Sequence, residues 1–204
     1  MSKVHQDAAR ELAKLSPELR RVYELAGEPL LPRRSRTAFS ALARSIVFQQ
    51  LAGAAANTIW RRVLAVTGEP ISPEALSRRT DAELQGCGLS GAKLRALRDL
   101  AARAPALNLR AIHRATDEEV IERLVEVRGI GRWTAEMFLI FHLQRLDVWP
   151  AGDLGVREGY RRMFGLAERP GEKELLPLGE RFRPFRSVAT WYLWRANEVL
   201  ENPK

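Results

Sequence analysis

A short connection with two glycines could bind an anion. Residues 124–137 read LVEVRGIGRWTAEM, and a helical pattern begins directly after Gly131. Backbone N–H groups in the first turn of a helix have no partner within the helix, and a glycine there lets a phosphate approach them closely. The pattern therefore predicts a phosphate-binding turn at Gly129 and Gly131, with Ile130 pointing inward. An ordinary glycine-linked pair of helices is the alternative.

A carboxylate stands where another predicted helix begins. Asp153 follows Pro150 and Gly152, which favour a tight turn, and it precedes the helical spacing of Leu154 and Val156. The ordinary role of an aspartate at this position is to cap the helix with a side-chain hydrogen bond. Capping and catalysis can coexist at one carboxylate, so Asp153 is also a candidate for chemistry.

Four segments in this order resemble the helix-hairpin-helix/Gly-Pro-Asp superfamily of DNA glycosylases. Along the chain, residues 45–56 resemble the glutamine-containing helix junction of its 3-methyladenine (alkylbase) branch, and residues 124–137 resemble its hairpin. Residues 147–156 resemble the loop with its aspartate, and residues 183–187 resemble the entry to its last helix. The resemblance covers residues 35–200. The sequence departs from the family pattern at two places. Arg128 replaces the usual proline before the first hairpin glycine, and of the Gly-Pro-Asp motif only the aspartate, Asp153, is in register.

The resemblance implies a monofunctional DNA glycosylase of base excision repair, which flips alkylated bases out of duplex DNA and hydrolyses the N-glycosidic bond. Asp153 would stabilise the cationic sugar of the transition state and orient water. Asp147 is the competing carboxylate, although it matches the motif less well. Bifunctional relatives carry a lysine two residues after the second hairpin glycine, where this chain has Trp133. We therefore expect no lyase activity.

Further site residues follow from the resemblance. It places Trp133, Trp194 and Met137 at the base pocket, where an indole face attracts a cationic base. The alternative is that these tryptophans belong to a helical core. The wedge that fills the space of the flipped base falls at Gln50 or Leu51. The alternative there is a helix end that lies in the core.

The hairpin supplies the expected DNA phosphate contacts, which are Gly129, Gly131, Arg132 and Thr134, with Arg128 as an additional cation. Backbone carbonyls of such a hairpin can hold a monovalent cation. We expect no other cofactor and no metal held by side chains. The partner would be double-stranded DNA with alkylated bases.

The net charge indicates the type of partner, and the cysteine count excludes several kinds of site. The chain has 204 residues and a net charge of +8, and all but five of its 33 basic residues are arginines. Such a charge makes a polyanionic partner plausible, and arginine matches phosphate oxygens well. Cys87 is the single cysteine, which excludes an internal disulfide, a cysteine-based zinc site and the iron–sulfur branch of the same superfamily.

Composition and spacing predict an all-α protein. Alanine and leucine make up 55 residues, whereas valine, isoleucine and threonine make up 26, a balance that favours helix. Capping residues at Ser16, Ser72 and Thr116 precede acidic first turns. The predicted helices are 17–26, 37–51, 53–67, 73–78, 80–85, 91–104, 117–127, 132–143, 153–163 and 172–201. The last is expected to break around Pro177 and Pro184.

We expect a single compact glycosylase unit over 1–204, with two helical lobes flanking a cleft. One lobe would comprise residues 35–115, and the other 116–204 with the N-terminal segment. We expect neither the N-terminal β-domain of longer relatives nor a membrane segment, and predict a monomer in the cytoplasm, associated with the nucleoid if bacterial. Two alternatives remain, a non-catalytic DNA-binding protein that uses the hairpin only for phosphates and a glycosylase for another class of lesion.

Overall fold

The computed structural model describes residues 3–29 and 37–201, and every regular element within them is helical. This confirms the predicted all-α class. The described residues form α1 (Lys3–Leu15), α2 (Pro17–Ala26), α3 (Ala38–Phe48), α4 (Gly53–Thr67), α5 (Pro73–Ser77), α6 (Asp81–Gly86), α7 (Gly91–Leu107), α8 (Asp117–Val125), α9 (Arg132–Phe141), α10 (Leu154–Phe164), α11 (Glu172–Leu178) and α12 (Arg186–Val199). Short 3-10 helices occupy Ile112–Arg114 and Glu180–Phe182.

The chain divides into two compact units. The terminal unit takes its residues from segments 1–32 and 144–204, and the central unit from 33–143. The division lies after Leu143 rather than near residue 115, because α8 packs on α9 and α9 packs on α3. The segment with the two hairpin glycines therefore belongs to the central unit.

The terminal unit is built on α12, which packs against α1, α2 and α10. Its largest fully buried side chains include Leu12, Leu19, Phe182 and Tyr192. The Tyr192 hydroxyl donates a hydrogen bond to the Gly27 carbonyl at 3.1 Å, and burial is the main cause that raises the pKa of Tyr192 well above its usual value. The two ends of the sequence therefore share one core.

Helices α10 and α12 approach each other closely at Gly159. A Cβ atom built on Gly159 would lie 1.9 Å from the Leu193 carbonyl oxygen. No side chain fits at that distance, so the glycine sets the spacing of the two helices. This spacing matters for the site, since α10 begins directly after Asp153 and α12 carries Trp194.

The central unit is organised around α3 and α7, which pack on each other; α3 also contacts α4 and α9, and α7 also contacts α5 and α6. Leu42, Ile46, Leu97 and Leu100 are fully buried between them. The helix starts follow the predicted caps. The Ser72 hydroxyl accepts from the backbone of α5, and Thr116 forms a capping box with Glu119 at α8.

The structure adds to the predicted elements at the N-terminus. Helix α1 was not among the predicted helices, although its buried residues recur with helical spacing at His5, Ala8, Ala9, Leu12 and Ala13. The small alanines gave a weak apolar signal. Ser16 caps α2 as predicted, and the predicted helix over 172–201 is broken into α11, a 3-10 turn and α12.

Within residues 3–29 and 37–201, no helix has both the length and the apolar character that a membrane span requires. The same residues bring together no group of three histidine, cysteine, aspartate or glutamate side chains suited to a metal ion.

Candidate functional site

The hairpin turn, residues 126–131, connects α8 to α9. Gly129 has φ +80°, a left-handed conformation that favours glycine, and Ile130 is buried as predicted. Gly131 is the extended N-cap of α9, and no side chain caps this helix. A Cβ atom on Gly131 would meet no atom within 4 Å. The first turn of α9 therefore has open space in front of its N-cap, which suits an anion.

The hairpin turn is fixed on α7. The Asp99 carboxylate accepts a 2.7 Å hydrogen bond from the Arg128 backbone N–H, and this bond is the main cause that lowers the pKa of Asp99. A Cβ atom on Gly129 would lie 3.2 Å from the Ala96 Cβ. The backbone of the turn is thus held in place by the protein itself, before any ligand binds.

The two arginines of the hairpin differ in their surroundings. The guanidinium of Arg132 donates to both carboxylate oxygens of Glu118 at 2.8 and 3.0 Å and to Glu136 at 3.2 Å. Its hydrogen bond is the main cause that lowers the pKa of Glu118. Within the described residues the exposed Arg128 side chain forms no ion pair. The charge of Arg132 is therefore largely offset by two carboxylates, whereas the Arg128 side chain, among the described residues, has only an electrostatic interaction with Asp99.

Gln49 links the end of α3 to the hairpin turn. Its side-chain amide donates to the Gly129 carbonyl at 2.9 Å and to the Thr134 hydroxyl at 3.4 Å. Thr134 is buried, so the predicted phosphate contact of Thr134 is confined to its backbone N–H.

The 49–52 loop presents Gln50 and Leu51 to solvent. Helix α3 ends at Phe48, earlier than the predicted end at residue 51, because Gln50 adopts φ +54°, which is incompatible with a right-handed helix. Gln50 is exposed and Leu51 is 39% exposed. The alternative that both residues lie at a helix end in the core is therefore wrong.

Trp133 and Met137 share one face of α9. They are four residues apart, which places them one helical turn from each other. The Trp133 side chain is 50% exposed and Met137 is half-buried. Trp133 is thus not a core tryptophan.

Asp153 is the N-cap of α10 and is nearly buried, with 8% of its surface exposed. Its Oδ1 atom accepts hydrogen bonds from the Val156 backbone N–H at 2.8 Å and from the indole N–H of Trp194 at 3.1 Å. The predicted capping role of Asp153 is therefore confirmed. The same carboxylate oxygen also accepts a hydrogen bond from the Trp194 side chain. Two donors on one oxygen fix the orientation of this carboxylate.

Trp194 touches this carboxylate with its polar edge. A Cβ atom on Gly155 would lie 3.0 Å from the Trp194 ring and 3.1 Å from Asp153 Oδ1, so Gly155 leaves room for the contact. One turn further along α12, the Asn197 amide donates to the Gly155 carbonyl at 2.8 Å. Helix α12 thereby holds the first turn of α10 and its capping residue together.

Asp147 is held in an ion-pair cluster. Its carboxylate accepts hydrogen bonds from the Arg183 guanidinium at 2.6 Å and the Arg186 guanidinium at 2.8 Å. Both arginines also pair with Glu180. The Ser187 hydroxyl of α12 accepts a hydrogen bond from the N–H of Val148, which lies in the same loop as Asp147, at 2.9 Å. Asp147 therefore fixes the start of the loop that leads to Asp153.

Several supporting residues were not identified from the sequence. Gln49, Asp99 and Asn197 each bond to a backbone group far away in the chain. Sequence spacing gives no signal for such contacts. The close approach at Gly155 and Gly159 is likewise invisible without coordinates, although two glycines four residues apart on one helix face are a usable hint of tight helix packing.

Replacing Trp194 by Phe tests whether its indole N–H positions the carboxylate. An aromatic ring is kept, while the N–H donor and part of the indole area are lost. We expect the rate of base release to fall about 10- to 100-fold, as for a hydrogen bond to a charged group. Affinity for duplex DNA should change by less than about twofold. Single-turnover base release and DNA-binding titrations measure the two quantities.

Trp191→Phe is the matched control, because Trp191 lies on the same helix and packs edge-on against Tyr192. It should keep the wild-type rate. A loss for Trp194→Phe that is confined to cationic bases would contradict positioning and assign Trp194 to base stacking.

Comparisons with known proteins agree on one family. A model of the HhH-GPD superfamily of base excision DNA repair proteins matches residues 43–184. DNA-3-methyladenine glycosylase 1 of Schizosaccharomyces pombe is 36% identical over 202 residues, which cover 95% of this chain and 88% of the relative. The solved structure of the 3-methyladenine DNA glycosylase Mag1 from the same yeast, in complex with abasic DNA, superposes with a TM-score of 0.84 at 33% identity and covers 97% of this chain and 100% of that one. A DNA-3-methyladenine glycosidase structure from Bacillus halodurans gives a TM-score of 0.82 at 36% identity, with 93% and 88% covered.

Proposed function

The chain belongs to the HhH-GPD superfamily of base excision DNA repair proteins, and from this premise we propose that it is a monofunctional DNA glycosylase for alkylated bases. It hydrolyses the N-glycosidic bond of 3-methyladenine-like purines in duplex DNA. The observation that carries the proposal is the Asp153 carboxylate, fixed by Val156 and Trp194 at the start of α10. The names of the relatives support the same lesion class.

Asp153 acts on the sugar. As the bond between C1′ and the base nitrogen breaks, positive charge develops on the sugar ring, and a fixed carboxylate stabilises it electrostatically. Water then adds to C1′ and gives up a proton to Asp153 or to solvent, and the released base retains the electron pair of the broken bond. An alkylated purine that already carries a positive charge leaves as a neutral base, so the base itself needs no protonation.

Trp133 is the proposed wall of the base pocket. Its exposed indole lies one turn before Met137 on α9, and an indole face attracts an electron-poor ring. On the terminal unit, Trp194 can offer a base only the part of its ring that the contact to Asp153 leaves accessible.

DNA binding falls to the hairpin turn and the 49–52 loop. The N-cap at Gly131 and the cation of Arg128 bind a phosphate of the duplex, with smaller contributions from Gly129, Arg132 and Thr134. Gln50 or Leu51 enters the space of the flipped base. Both side chains are exposed at a loop that the protein holds in a left-handed turn.

Because the reaction consumes water only, we propose that it needs no cofactor. We also propose that the protein is a monomer and acts in the cytoplasm. A monovalent cation on the hairpin turn is compatible with its backbone. The Gly129 carbonyl accepts one hydrogen bond, from Gln49, and a carbonyl oxygen has a second lone pair. Such an ion would add positive charge beside the bound phosphate.

The proposal excludes lyase chemistry, which requires an amine that attacks C1′ and forms a Schiff base. Trp133 occupies the position of that amine in bifunctional relatives. Lys93, the lysine of the central unit, donates to the Val47 carbonyl at 2.7 Å.

Wild-type protein on a panel of lesion-containing duplexes tests the function. We expect release of 3-methyladenine as the free base, an intact strand with an abasic site, and no covalent adduct after borohydride treatment. Release confined to oxidised or mismatched bases would reassign the lesion class, and a borohydride adduct would contradict the monofunctional assignment. Binding without release of any base would identify a DNA-binding protein instead.

A further inference from the structure

One face of α7 contacts both DNA-binding segments of the central unit. Lys93, Ala96 and Asp99 are spaced three residues apart and lie on the same side of the helix. The Lys93 ammonium donates to the Val47 carbonyl in the last turn of α3. Ala96 packs under Gly129, and Asp99 binds the backbone N–H of Arg128.

Lys93 acts at the base of the 49–52 loop. Carbonyl groups in the last turn of a helix lack partners within the helix, and a cation is favourable there. The Lys93 side chain is partly buried, and burial lowers its pKa. A lysine turned inward in this way holds the end of α3 rather than a DNA phosphate.

Gln49 connects the 49–52 loop directly to the hairpin turn. Its amide reaches across 80 residues of sequence to the Gly129 carbonyl, at the centre of the hairpin turn. The same residue immediately precedes Gln50, whose φ of +54° is uncommon for a residue with a side chain. A loop in such a conformation persists when its surroundings hold it, and Gln49 and Lys93 are the contacts that do so.

We propose that Gln49 and Lys93 are positioning residues that keep the 49–52 loop at a fixed spacing from the hairpin turn. Capture of a phosphate by the turn then sets the depth at which Gln50 or Leu51 enters the base stack. This inference rests on the proposed wedge role of the 49–52 loop, and it assigns to Gln49 and Lys93 no contact with DNA.

The proposal predicts a loss of insertion without a loss of phosphate binding. Gln49→Met keeps the length of the side chain and removes the donor. Lys93→Met removes the ammonium and keeps most of the apolar part of the side chain. Arg114→Met is the charge-matched control, since Arg114 is exposed on the Ile112–Arg114 turn of the same unit. If Gln49→Met lowers the Tm, Gln49→Glu replaces it, because a carboxylate of the same shape cannot donate to the Gly129 carbonyl.

Insertion is measured on a duplex with an abasic-site analogue and 2-aminopurine beside it. Wild-type binding unstacks the fluorescent base and raises its emission. For Gln49→Met and Lys93→Met we expect the gain in emission to fall at least about twofold and base release to slow about tenfold, as for one lost hydrogen bond. Kd for the duplex, Tm and all values for Arg114→Met should stay at the wild-type level.

The outcomes separate this inference from the proposed function. A full gain in emission for both variants, or a loss that parallels equal losses in Kd or Tm, overturns the positioning role. If the wild type releases no base but the variants still lose emission, the proposed function fails and the positioning role stands. If the wild type releases bases and the variants insert normally, the positioning role alone fails.

Discussion

Asp153→Asn abolishes base release and leaves DNA binding intact: we expect the single-turnover rate to fall about 10³-fold or more, the scale set by losing a fixed electrostatic partner of the transition state. The amide has the same shape but no negative charge to oppose the developing charge of the sugar. Its oxygen still accepts from Val156 and Trp194, which both bond to the same atom of Asp153. Asparagine is also a good N-cap, so the fold is preserved.

Base release under single-turnover conditions and anisotropy titrations with an abasic duplex measure the two effects. Asp147→Asn is the matched control, because it neutralises the other carboxylate of the same loop. This substitution weakens the cluster with Arg183 and Arg186. It should lower the Tm and change the rate of base release little. A rate for Asp153→Asn within about tenfold of the wild type would remove Asp153 from the chemistry.

Gly159→Ala has the largest expected effect on stability. The added methyl group would stand 1.9 Å from the Leu193 carbonyl oxygen, and backbone cannot yield as a flexible side chain does. Separating α10 from α12 costs about 3 kcal/mol or more, and in a chain of this length Tm falls by about 6–12 °C. The same shift moves Asp153 away from Trp194, so the surviving folded protein should also release bases more slowly.

Urea unfolding and thermal scans measure the change in stability. Gly53→Ala is the control, since a Cβ atom on Gly53 meets nothing within 4 Å and the residue lies at the start of α4. Alanine there should be neutral or stabilise by up to about 1 kcal/mol. Equal Tm values for the two variants would show that α10 and α12 do not need their close approach.

Local chemistry explains what was predictable. Ser16, Ser72 and Thr116 cap the helices that their sequences predict, because a cap depends on residues three positions apart. The buried Ile130 depends on the same short range of sequence. Helix α1 escaped prediction, since alanines at helical spacing resemble an exposed surface as much as a core.

Long-range contacts explain what was not predictable. Arg132 has the sequence position of a phosphate contact, yet its charge is offset by Glu118, 14 residues earlier. The division after Leu143 depends on where α9 packs, which its own sequence does not state. Gln49 carries no signal of its bond to Gly129, because an amide at a helix end has many partners within reach.

The bond from Tyr192 to Gly27 has a consequence for synthesis of the protein. It joins residues 165 positions apart, so the core around α2 closes only after α12 has left the ribosome, whereas the central unit is complete in sequence by residue 143. Loop closure over such a distance is slow relative to local contacts. Trp194 lies on the same late helix, so the Asp153 carboxylate acquires the indole N–H donor only in the last stage of folding. In an unfinished chain the hairpin turn is therefore complete before the carboxylate proposed for catalysis is oriented.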